Sequence, residues 1–116
     1  MSGSSIFSKI INKEIPATFV YEDEYVVGII DIAPQAKTHL LFFHRQETTN
    51  INDLVRKTPE QLQHLFCAIE KYTKENALEE KGFRLVTNCG KSAGQTVFHT
   101  HIHLLSDEAG LGSFGS

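Results

Sequence analysis

The sequence predicts an α+β fold in which an antiparallel sheet of about five strands carries two helices on one side. Short stretches rich in β-branched and aromatic residues recur along the chain, separated by turn-forming residues. Two other stretches repeat apolar residues at helical spacing. The most regular stretch, Gln95 to Leu105, alternates with a period of two and holds three of the six histidines.

In chain order, Ser4 or Ser5 can cap a first helix running to about Lys13, with Ile6, Phe7, Ile10 and Ile11 on one face. Pro16 stops it. Thr18–Glu22 and Tyr25–Asp31 read as strands joined by a turn at Asp23-Glu24. The apolar run Val26, Val27, Ile29 and Ile30 implies cover on both faces. Asp31 closes that strand, where a turn residue and a hydrogen-bond acceptor both fit. After the break at Pro34, Thr38–Phe43 is a third strand with His39 at its start. Thr58-Pro59-Glu60-Gln61 begins the main helix, with Thr58 as cap and Gln61 completing a capping box. Leu62, Leu65, Phe66, Ile69 and Tyr72 form its buried stripe, which leaves His64 on the surface. Gly82 closes the helix or its tail. Phe83–Asn88 is the fourth strand. Cys89–Gly94 is a small-residue loop whose backbone N–H groups can meet a phosphate, although any hairpin loop looks similar.

At 116 residues the chain is one domain, with a core of about residues 5–105 and a Gly/Ser-rich tail over 106–116. The net charge of −3 gives no footprint for DNA or RNA but leaves room for one small nucleotide. Cys67 and Cys89 have no metal or redox spacing, and Cys67 is expected as a buried thiol in a reducing compartment. No apolar run approaches the length of a membrane span, and Met1–Ser5 lacks a signal-peptide pattern, so the expectation is a cytoplasmic protein with no membrane partner.

On a strand, His99, His101 and His103 point to one side, with neighbouring positions roughly 6.5–7 Å apart. His99 and His103 are then about 13 Å apart. A zinc–nitrogen bond is only about 2 Å long, so one ion does not easily take all three rings. Two adjacent rings sharing a metal would need ligands from elsewhere. The competing chemistry is nucleophilic: neutral imidazole attacks phosphorus or carbonyl carbon near neutral pH, and neighbouring groups hold its tautomer. The middle ring, His101, has a neighbour on both sides.

His99-Thr100-His101-Ile102-His103-Leu104-Leu105, preceded by Gly94-Gln95-Thr96-Val97, resembles the signature of the histidine triad superfamily. Ile6 to Ile11, Glu14-Ile15-Pro16 and Asp31-Ile32-Ala33-Pro34-Gln35-Ala36 are similar to the branch of histidine triad nucleotide-binding proteins. This resemblance implies a homodimer joined into one longer sheet. It also implies hydrolysis of a purine nucleoside phosphoramidate (an AMP- or GMP-type ligand joined to an amine) with no metal and no cofactor. His101 would be the nucleophile, with His99, His103, His39 and Thr96 completing the catalytic set. Ile6, Phe7, Ile10, Ile29 and Ile32 would line the base pocket, and Asp31 would hold the ribose. Asn88, Gly94, Gln95, Thr96, Val97, His101 and His103 would complete the nucleotide site. Two departures stand out. Where relatives read Pro-Lys-Arg/Lys-His, this chain has His44-Arg45-Gln46-Glu47. Its tail, Ser106-Asp107 onward, lacks the usual Gly-Gly and any tryptophan. Gln95-Thr96-Val97 also resembles dinucleoside polyphosphate hydrolases. A nucleotide-binding module with little turnover and a zinc-binding regulator are the remaining readings.

Overall fold

The computed structural model describes residues 5–113. Ser4, the alternative cap, and Phe114–Ser116 lie outside the described residues. Five strands, β1 (Phe19–Glu22), β2 (Val26–Ile30), β3 (Thr38–His44), β4 (Arg84–Val86) and β5 (His101–Ser106), form one antiparallel sheet in the order β1-β2-β3-β5-β4. The last strand in sequence therefore pairs on both sides. The expected five-stranded sheet is present. The helices among the described residues are four, not two: α1 (Ile6–Ile11), α2 (Ile51–Lys57), α3 (Glu60–Glu75) and α4 (Leu78–Lys81).

Those helices do not share one side of the sheet. Val26, Leu40, Phe42, Ile102 and Leu104 face a core completed by Leu54 of α2, Leu65, Ala68 and Ile69 of α3, and Leu78 of α4. Val27, Ile29, Leu41 and Phe43 point the other way and are covered by Phe7 and Ile10 of α1. The two-sided apolar run of β2 is thus explained: alternate residues serve separate cores.

Local signals account for most boundaries. The Ser5 hydroxyl accepts from the Ser8 N–H at 3.0 Å and starts α1. The helix ends before Pro16, because Lys13 turns left-handed (φ 63°) and the Lys13 and Glu14 N–H groups bond back to Ile10 and Lys9 carbonyls. The Asp23 carboxylate takes the Tyr25 and Val26 N–H groups and builds the β1–β2 turn. The sequence reading missed α2. Its signal is Asn50, whose side chain accepts from the Asp53 N–H at 2.9 Å, followed by the fully buried Leu54.

α3 differs from expectation in detail. The capping box does not form: Pro59 precedes the helix, and Thr58 Oγ1 and the Gln61 amide are buried without partners among the described residues. Gln61, Leu65, Ala68, Ile69 and Thr73 form the buried face. Phe66 and Cys67 are exposed, since both lie off that face. His64 is not a free surface residue: its Nδ1 sits 3.0 Å from His44 Nε2, and its ring stacks on Tyr25 at 3.7 Å.

Gly28 sits opposite Phe42 in the β2–β3 ladder, and a Cβ there would lie 2.9 Å from the fully buried Phe42 ring. Gly28→Ala is expected to destabilise the fold by about 1–3 kcal/mol through overpacking. Urea denaturation checks this; an unchanged midpoint would mean the ring can move aside.

Candidate active site

The sheet register brings the titratable groups together. Phe43 pairs with His101, Leu41 with His103 and His39 with Leu105, so His39, His101 and His103 share the α1 side of the sheet. The histidine stretch is not a strand throughout. β5 begins at His101, because β3 ends at His44 and supplies no ladder partner for residues before it. Residues 95–100 are held instead by the segment following β3. The Thr100 N–H donates to the Thr48 carbonyl at 2.8 Å, the two threonine hydroxyls meet at 2.7 Å, and the Gln95 amide donates to the Thr49 carbonyl at 2.7 Å. His99 therefore lies outside the strand. Its ring still reaches the same apolar packing, edge-on to Phe7 and to Phe43.

The partners of each ring settle its tautomer. A carbonyl only accepts, so His101 Nδ1, 2.8 Å from the His99 oxygen, carries the proton and Nε2 carries the lone pair. His99 Nε2–H donates to the His44 carbonyl at 2.8 Å, and its Nδ1 accepts from the Ser5 hydroxyl at 2.7 Å. The Gln35 N–H donates to His39 Nδ1 at 3.0 Å. His39 Nε2–H then faces His103 Nδ1 at 2.9 Å and the Asp31 carboxylate at 3.3 Å. That leaves His103 with its proton on Nε2. One ring offers a lone pair and the next a proton, with centroids 5.1 Å apart.

Burial disfavours the charged form of His99, His101 and His103. It pushes His101 and His99 below the ordinary histidine value. His103 is pushed down to about 4, first by burial and then by repulsion from His101 and His39. Phe7 stacks on Phe43 at 4.4 Å and meets the His101 ring edge-on at 5.0 Å, sealing the back of the site.

A cavity of about 330 Å³ opens in front of His101 and His103. Ile6, Phe7 and Ile10 of α1 line it, as do Ile29, Asp31 and Ile32 from the end of β2 and the loop after it. Thr96 and Val97 form a further wall. Most of the expected site residues thus converge. Asn88 does not line this cavity; it lines a second one of about 350 Å³, with Gln35, His39, Arg84 and His103. His103 separates the two. Gln95 is buried and its side chain is spent as scaffold, accepting from the Gly90 N–H and donating to two carbonyls. The Gly94 and Gln95 N–H groups close the turn onto Lys91 and Gly90. Of the Gly94-Gln95-Thr96 trio, Thr96 faces the cavity. The sequence uses Ser5 only as a cap and gives Gln35 no role of its own, yet the Ser5 hydroxyl pairs with the unprotonated nitrogen of His99 and the Gln35 N–H sets the tautomer of His39.

Among the described residues, Asp31, His39 and His103 offer ligand atoms within 4.8 Å of one another, close enough to hold a metal. The hydrogen bonds already described account for that closeness without one.

A model of the HIT domain matches residues 12–110. The chain belongs to the HIT domain family. The purine nucleoside phosphoramidase of Escherichia coli is 37% identical over 105 residues, which cover 90% of this chain and 88% of that protein. A histidine triad protein from Clostridium difficile superposes with a TM-score of 0.90 at 36% identity, covering 98% of this chain and 99% of that one. A HIT family hydrolase from Clostridium thermocellum gives 0.85 at 38% identity, covering 100% and 96%. No helix among the described residues of this HIT protein is long and apolar enough to cross a membrane.

The tautomers are directly measurable. At pH 7, nitrogen NMR is expected to find neutral rings protonated at Nδ1 in His101 and at Nε2 in His99 and His103. An Nε2-protonated His101 would contradict the assignment. Folded His103 and His44 lie at about 4, below the ordinary 6.5, so between these values the unfolded chain binds more protons. Stability is therefore expected to be full above about pH 6.5 and to fall as pH drops towards 4.

Proposed function

We propose that this HIT protein hydrolyses purine nucleoside 5′-phosphoramidates through a nucleotidyl-histidine intermediate. The observation that carries this reading is the clamped His101 tautomer beside the cavity: Nδ1–H is held by the His99 carbonyl, so Nε2 is a lone pair with no proton to lose. Nε2 attacks the α-phosphorus, a P–Nε2 bond forms, and the P–N bond to the amine breaks. The amine leaves with a proton, for which the Thr96 hydroxyl and the His103 Nε2–H are the candidate donors. The imidazolium that forms keeps its Nδ1–H on the His99 carbonyl. Water then attacks phosphorus, returns its proton to the donor that protonated the amine, breaks the P–Nε2 bond and releases the nucleoside monophosphate. Charge developing on the phosphoryl oxygens needs preorganised donors, and His103 Nε2–H, oriented through His39 and Gln35, fits that role.

The apolar wall from Ile6, Phe7, Ile10, Ile29 and Ile32 suits a purine base. Asp31 uses one carboxylate oxygen on the Ala33 N–H at 2.8 Å and retains lone pairs for a ribose diol. The second cavity, holding Asn88 and Arg84 beyond His103, suits the leaving group. The Arg84 cation there also favours keeping a second reading, hydrolysis of dinucleoside polyphosphates, whose leaving group is anionic. Pairing into a homodimer belongs to the proposal too; β4 is a sheet edge, and Phe83 beside it is part-exposed.

Adenosine phosphoramidate and a diadenosine polyphosphate, assayed side by side, decide between these readings. Faster turnover of the phosphoramidate is expected, and the reverse preference would hand the site to the second reading. As a control, Asp31→Asn is expected to weaken AMP binding by about 1.5–3 kcal/mol, as for loss of a hydrogen bond to a charged group.

A further inference from the structure

The segment His44–Glu47 contributes a carboxylate that the chemistry above does not use. Glu47 Oε1 accepts from the Ser8 hydroxyl at 2.9 Å and from the Ser5 N–H at 3.3 Å. Both serines belong to the start of α1, more than 35 residues away in sequence, and Glu47 is about one-third exposed. The Ser5 hydroxyl in turn reaches His99 Nδ1 at 2.7 Å and Ser8 N at 3.0 Å. Glu47 Oε1 lies 3.9 Å from His99 Nδ1. The first turn of α1 is therefore tied at one carboxylate to the loop after β3, next to the ring of His99, whose backbone carbonyl holds His101.

We propose that Glu47 is a positioning residue for the nucleotide site, acting through Ser5 and Ser8 to hold α1 over the cavity. The geometry separates its effect from the chemical step. α1 supplies Ile6, Phe7 and Ile10, which face the cavity, whereas His101 is clamped by the His99 carbonyl and His103 by His39. Loosening α1 opens the wall proposed for the base while those two rings keep their partners. The His99 ring also retains its Nε2–H bond to His44 without Glu47. The inference rests on the nucleotide reading of the cavity.

The test uses the full chain with Glu47→Ala and Glu47→Gln. Glu47→Ala is expected to raise KM for adenosine phosphoramidate and Kd for AMP about tenfold, the range for a partly exposed hydrogen bond to a charged acceptor. Its kcat is expected to stay within about twofold of wild type, since an effect on binding alone leaves kcat in place. Glu47→Gln keeps an acceptor oxygen and is expected to recover most of the affinity. Hydrogen exchange of the α1 amides is expected to quicken in Glu47→Ala, with the β3 and β5 amides unchanged. Unchanged AMP affinity, a fall in kcat at constant KM, or faster exchange spread over the whole sheet would each overturn the proposal. A wild-type protein that binds AMP but does not turn over the phosphoramidate would sink the hydrolase reading alone, because AMP affinity and exchange need no turnover.

Discussion

The hydrogen bond from His101 Nδ1 to the His99 carbonyl, 2.8 Å long, is the constraint on which the site depends. It joins residues two apart, so it forms only if the chain bends as it enters β5 and is held in that bend. An imidazole without it would exchange its proton between two nitrogens and present a lone pair at Nε2 only part of the time. With it, the nitrogen that carries the lone pair is defined before any ligand arrives, and positive charge on the ring has an acceptor waiting.

The rest of the molecule can be read as support for that bend. β3 stops at His44, and its continuation turns to hold residues 95–100 through Thr48, Thr49 and the His44 carbonyl. His99 is fully buried with both ring nitrogens paired, so it works as a strut between α1 and the end of β3. Phe7, stacked on Phe43, closes the remaining gap against both His99 and His101. Burial lowers the affinity of these rings for protons, and the hydrogen bonds offset the cost of burying polar groups. Packing and chemistry are here the same contacts.

Much of this was legible in the sequence. Alternation around His101 and His103 put both rings on one face, and apolar spacing in α1 put Ile6, Phe7 and Ile10 together. The resemblance of the Asp31 segment to nucleotide-binding relatives brought that residue into the site. What the sequence did not reveal depends on register and on irregular backbone. Period-two alternation extended the histidine strand back to Gln95, because alternation cannot report that β3 has run out of partners. The role of Gln35 rests on a backbone N–H, which every residue but proline carries. Asn88 is expected with the nucleotide, but it lies past the end of β4 and lines the cavity on the far side of His103. α2 was missed because its seven residues bury only one large side chain, too few for a periodic signal.

The covalent intermediate is the central claim, and trapping it tests the account most directly. Wild-type protein denatured at alkaline pH during turnover of adenosine phosphoramidate, where a P–N bond to histidine survives, should show, by intact mass and peptide mapping, one added nucleotidyl group on His101. The adduct should be absent from His101→Ala, which should still bind AMP because the base and ribose contacts proposed come from other segments. An adduct mapped to His99 or His103, or near-normal turnover by His101→Ala, would contradict the account.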